Sequence, residues 1–67
     1  MNQTWTPFDR EKKEHRLICI GALHAADQFG VGRITACKEA LESENIRAYS
    51  TPKEQDAFQV FIQEIGR

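Results

Sequence analysis

The sequence has no excess of charge of either sign: nine Lys and Arg stand against ten Asp and Glu in 67 residues, a net charge of −1. A protein that binds nucleic acid or anionic membrane through its overall field carries a basic surplus, so that mode is excluded, while a local basic patch is not. Only two cysteines are present, Cys19 and Cys37, well separated and in apolar surroundings. That is neither a disulfide framework nor a paired metal knuckle. Two small buried hydrophobes in a reducing compartment are expected, and with them a cytoplasmic location. No basic stretch precedes an apolar one at the N-terminus, so no signal peptide is expected. The longest apolar run, residues 17–26, is interrupted by His24 and is too short to span a bilayer. Internal repeats and low-complexity segments are lacking as well. What is left is one small domain, 1–67, with residues 1–5 as a loose tail. A chain of this length buries only about 60% of its unfolded surface, and such domains often lean on a metal, a disulfide or a partner.

The chain reads as mainly helical. Thr6-Pro7-Phe8-Asp9 has the form of a helix start, with Thr6 as cap, Pro7 at the first helical position and Asp9 near the free N–H groups. Residues 9–16 are all polar, seven charged and one His. Arg10 and Glu14 have the spacing of a helical ion pair. From Leu17 to Leu23 the pattern inverts and is apolar around the whole helical wheel. Two other short helices can hardly cover such a segment, so a second copy or a partner is expected on its open side. Ala22, Ala25 and Ala26 favour helix, Phe29 falls on the face of Ile18 and Ala22, and Gly21 is a candidate break between two helices. After a turn at Phe29-Gly30-Val31-Gly32, Thr35 is the next candidate cap. A helix from Ala36 to about Glu44 would bury Cys37, Ala40 and Leu41, with Asn45 closing it.

The last element is signalled most strongly. Thr51-Pro52-Lys53-Glu54 is a capping box with proline at the first helical position, in which Thr51 accepts from Glu54 N–H and Glu54 reaches back to Thr51 N–H. Phe58, Phe61, Ile62 and Ile65 then share one face of a helix over Pro52–Ile65, and Gly66 supplies the stop. These four are expected to lid segment 17–26. The fold class is therefore a small three- to four-helix domain with a helix-turn-helix-like corner near Gly30. The alternative is a winged-helix α+β fold, with strands at 46–50 and 57–62 forming a hairpin.

Ala26, Gly30 and Val31, followed by Arg33-Ile34-Thr35, resemble the middle of a bacterial helix-turn-helix, over residues 22–41. In that family a small alanine lets two helices approach, a glycine makes the corner, and an apolar residue packs beneath it. The resemblance implies a recognition helix whose first residues meet base edges and phosphates. On that reading the DNA-contacting residues are Arg33, Thr35 and Lys38, with Arg47 and Lys53 as flanking phosphate contacts. The chain departs from the pattern at Ala36, where the family usually has Ile or Val, and at Glu39, where it is apolar. Glu39, Glu42 and Glu44 also set carboxylates against Arg33 and Lys38, and carboxylates repel phosphates.

Other chemistries find little in the sequence. His15 and Cys19 share a helical face, but His24 points elsewhere and Cys37 is distant, so no metal site is expected. His15 reads as solvated and His24 as a histidine between helices. No nucleophile motif and no dinucleotide fingerprint is present, and an enzyme or a cofactor is not expected. The polar face of the C-terminal helix is Gln and acid, which does not suit a membrane surface. Two functions remain: a small DNA-binding transcriptional regulator, and a protein-interaction module such as an adaptor or inhibitor. Either would act as a homodimer or on a partner, with the apolar surplus of 17–26 and its charged flank as the interface.

Overall fold

The computed structural model describes residues 4–66. Residues 1–3, most of the expected N-terminal tail, and residue 67 lie outside the described residues. The elements run β1 (Thr6–Pro7), α1 (Lys13–Phe29), α2 (Arg33–Ser43), β2 (Ile46–Arg47) and α3 (Pro52–Ile65). The fold is mainly helical, as the pattern predicts, and the hairpin alternative does not form. Residues 57–62 lie inside α3, and the extended stretch after α2 is only Ile46–Arg47. Its partner is β1, paired in parallel, Thr6 with Ile46 and Pro7 with Arg47.

That pairing overturns the helix start expected at Thr6. Thr6 N–H donates to Asn45 O at 2.9 Å and Phe8 N–H to Arg47 O at 2.8 Å, which holds the segment extended. Pro7, lacking an N–H, falls between these two donors and costs the ladder nothing. The charged run is then split. Asp9 folds over a turn, its carboxylate accepting from Glu11 N–H at 2.9 Å and its carbonyl from Lys12 N–H at 3.0 Å. Arg16 reaches back and donates to the carbonyls of Arg10 and Glu11, both at 3.0 Å. Arg10 does not pair with Glu14 but with Glu64 of α3 at 2.7 Å.

Helix α1 begins only at Lys13 and passes through Gly21 unbroken. It stops at Gly30, which adopts a left-handed conformation (φ 70°), while Gly30 and Val31 both donate to Ala26 O. This is a Schellman-type stop, available to glycine without strain. Helix α2 starts at Arg33, so Gly32, not Thr35, holds the cap position, and no side chain caps it. It ends at Ser43, and Asn45 turns the chain with φ 60°. Helix α3 has the expected bounds. Thr51 Oγ1 accepts from Glu54 N–H at 3.1 Å, but Glu54 turns its carboxylate to the hydroxyls of Ser50 and Thr51. Gly66 stops α3 as expected, though without a left-handed conformation (φ −84°), its N–H donating to Ile62 O.

The core joins Cys19, Ala22 and Leu23 of α1, Cys37 and Leu41 of α2, Ile46 and Ala48, and Phe58, Phe61 and Ile62 of α3. Phe8 packs edge-on to Phe58 at 5.3 Å between centroids and tilted to Phe61 at 5.1 Å, so the β1 strap closes the aromatic end. Phe58, Phe61 and Ile62 thus share one core with Cys19, Ala22 and Leu23 of α1, while Leu17 and Ile20 stay exposed. The expected roles of the histidines are reversed. His15 is buried, stacks on Phe8 and accepts Asp9 N–H through Nδ1 at 2.9 Å, whereas His24 is exposed. The hydrogen bond requires a lone pair on Nδ1, which places the ring proton on Nε2. Phe29 is the last residue of α1 and lies 75% exposed.

Candidate functional site

The solvent face of α2 carries Thr35, Lys38, Glu39 and Glu42, which helical spacing places side by side. It holds one cation between two carboxylates, a poor match to phosphate. Arg33 is turned away from that face. Its guanidinium donates to Gly66 O at 3.1 Å and lies 3.5 Å from the Asp27 carboxylate, bracing the end of α3 and the end of α1. A Cβ on Gly66 would fall 2.5 Å from Arg33 Nη2, so any side chain there would require the flexible guanidinium to move. Lys38 Nζ stands 5.3 Å from the Tyr49 ring centroid, a cation–π contact. Arg47, exposed on β2, acts electrostatically on Glu54, and Lys53 lies exposed in the first turn of α3. Arg33 and Lys53 are thus at opposite ends of α3, separated by about 20 Å for a helix of this length. The five expected contacts fall in three places: Arg33 at the α3 terminus, Thr35 and Lys38 on α2, and Arg47 and Lys53 beside Glu54.

What the fold brings together is apolar. Phe29 (75% exposed) and Val31 (47% exposed) flank the α1–α2 corner. Between the helices runs a shallow groove floored by Ala22, Ala25, Ala26, Ala36 and Ala40, with Glu39 and Ser43 on its rim. The alanines that let α1 and α2 approach also leave no side chains long enough to cover the groove. Val31 stands at the rim and does not pack beneath the corner as in the helix-turn-helix pattern. Sequence reading placed Phe29 on a helical face but did not mark it as an exposed anchor. Its available signal was position, because a residue immediately before a helix-stopping glycine is easily carried past the packed turn.

The two thiols are an internal feature. Both are free and fully buried, and Cys37 Sγ donates to Cys19 O at 3.5 Å. The neighbouring Cys37 sulfur, together with burial, pushes the Cys19 thiol up, so it stays protonated and packs as a small hydrophobe. Among the described residues no three His, Cys, Asp or Glu side chains gather as a metal cluster would. No helix among them is long and apolar enough to cross a membrane. No family model matches the chain, and neither a characterised protein nor a solved structure was found similar to it.

Proposed function

We propose that this domain is a protein-interaction module that holds a partner on the apolar corner of α1 and α2. The observation that carries the reading is Phe29, an aromatic side chain 75% exposed at the lip of an alanine-floored groove. Aromatic anchors beside a polar rim are the usual centre of a protein interface. The rim sets the partner's chemistry. Glu39, Glu42 further along α2 and Glu44 at its C-cap outnumber Lys38, so a segment with apolar side chains flanked by Lys or Arg fits best. Fluorescence anisotropy with amphipathic peptides, one set flanked by lysine and one by glutamate, tests this. The lysine set binds, the glutamate set does not, and Phe29→Ser with Val31→Ser lowers affinity by about tenfold or more. Equal binding of both sets, or indifference to the double substitution, sinks it.

The second reading is a DNA-binding regulator. In its favour is the corner itself, with Ala26 beneath and Gly30 left-handed as a helix-turn-helix requires. Against it stand the carboxylates of α2 and the internal use of Arg33. Titration of labelled duplex at low salt decides: binding that weakens on Lys38→Ala and falls off as salt is raised would favour DNA over protein.

A further inference from the structure

Gly21 has no evident role inside the folded chain. It lies in the middle of α1, it does not adopt positive φ, and a Cβ built on it meets nothing within 4 Å. Glycine in a helix interior is destabilising relative to alanine, and no close approach within the chain accounts for it. Around it, Leu17 is 53% and Ile20 42% exposed, and His24 is exposed. Spacings of three, four and seven put Leu17, Ile20, Gly21 and His24 on one face, opposite the face that packs on the core. An amphipathic helix normally has its polar side there.

We propose that a second copy of this chain packs antiparallel along this face of α1, the two helices crossing at Gly21. Three features select a second copy in that orientation. Gly21 is the midpoint of Lys13–Phe29, so a two-fold pair crossing there overlaps along the entire helix. Leu17 of each copy then opposes His24 of the other, and Ile20 lies over the Gly21 backbone, where a missing side chain lets the helices approach at the short end of the usual separation. The edge of the face carries Lys13 at its start and Asp27 near its end. Antiparallel pairing sets Lys13 beside Asp27 of the other copy, while parallel pairing would set like charge against like. Asp27 is 65% exposed despite its contact with Arg33, and the last turn of α1 has no basic residue of its own, so the carboxylate is open to a second cation. This face is distinct from the Phe29 corner and does not depend on the partner proposed there.

Sedimentation equilibrium of the full chain, from micromolar to millimolar concentration, is the test. The mass is expected to rise from 7.7 kDa towards twice that value. Ile20→Asp and Gly21→Leu are each expected to weaken association by about tenfold or more while the helical circular dichroism is kept. Ile20 is already half-exposed, so its substitution carries the test should Gly21→Leu not fold. Gly21→Ala separates the two roles of the residue: it raises the melting temperature of dilute, monomeric chain by about 3–6 °C and yet weakens the dimer. Lys13→Gln and Asp27→Asn, alone and together, report the orientation, since the double variant of an opposed pair is no weaker than either single one. A single 7.7 kDa species at every concentration overturns the proposal. So does a dimer unaffected by Ile20→Asp and Gly21→Leu, and additive losses for Lys13 and Asp27 overturn the antiparallel arrangement.

Discussion

Glu54 is bound at the start of α3 by two hydroxyls, Ser50 Oγ at 2.8 Å and Thr51 Oγ1 at 2.9 Å. These donors, Ser50 first and Thr51 second, with Arg47 contributing at longer range, hold its carboxyl below the ordinary value of 4.5. A carboxylate whose folded value is depressed adds stability that is fully present above its unfolded value and is lost as pH falls through the folded one. Glu54→Gln should therefore be less stable than the parent above about pH 5, with the gap closing below about pH 4. Urea titrations at several pH values check this, and a gap that persists in acid would refute it. His15 shows a different use of a titratable residue. It is built in as an acceptor for Asp9 N–H and as a flat partner for Phe8, and both roles depend on the β1 strap lying over it.

Two glycines of the same region behave oppositely, because an element's end and its middle make different demands on the backbone. Gly30 ends α1 at φ 70°, a conformation in which an L side chain crowds the following carbonyl. Gly30→Ala should cost about 1–2 kcal/mol, even though the space around it is open. Gly21 is helical and equally open, and the same substitution there should stabilise the monomer. Thermal melts of the two variants side by side distinguish conformation from packing, since neither added methyl group meets a neighbour. Helix α3 is specified locally, with cap, proline and apolar stripe in agreement. Helix α1 is not: no side chain caps its start at Lys12, and its first turn is positioned by the Asp9 turn and Arg16.

The whole molecule is closed by residues distant in sequence. Phe8 meets Phe58 and Phe61, Arg10 lies 5.4 Å over the Phe61 ring, and Arg10 pairs with Glu64. The exposed ion pair contributes at most about 1 kcal/mol, whereas deleting a buried phenyl ring costs about 3–5 kcal/mol. A domain this small has little more than that in total, so Phe61→Ala should leave the chain largely unfolded at 25 °C. Retained cooperative melting would show that the aromatic cluster matters less than its burial implies.

By itself the sequence determined α3, the glycine corner at Gly30 and the buried, unpaired cysteines. Each depends on neighbours within a turn or two: a capping box, a left-handed stop, an apolar spacing. It also showed that residues 17–26 hold more apolar surface than so short a chain can cover, and Leu17 and Ile20 do remain exposed. Only the tertiary structure decided the rest. Thr6–Pro7 has every local mark of a helix start, yet it is extended because Asn45 and Arg47 supply hydrogen-bond partners from the other side of the molecule. His15 is buried because Phe8 folds over it, and the Arg33 guanidinium is engaged within the chain because the end of α3 arrives beside it. Such contacts join residues from seven to 39 positions apart and cross element boundaries, and periodicity within one element carries no record of them.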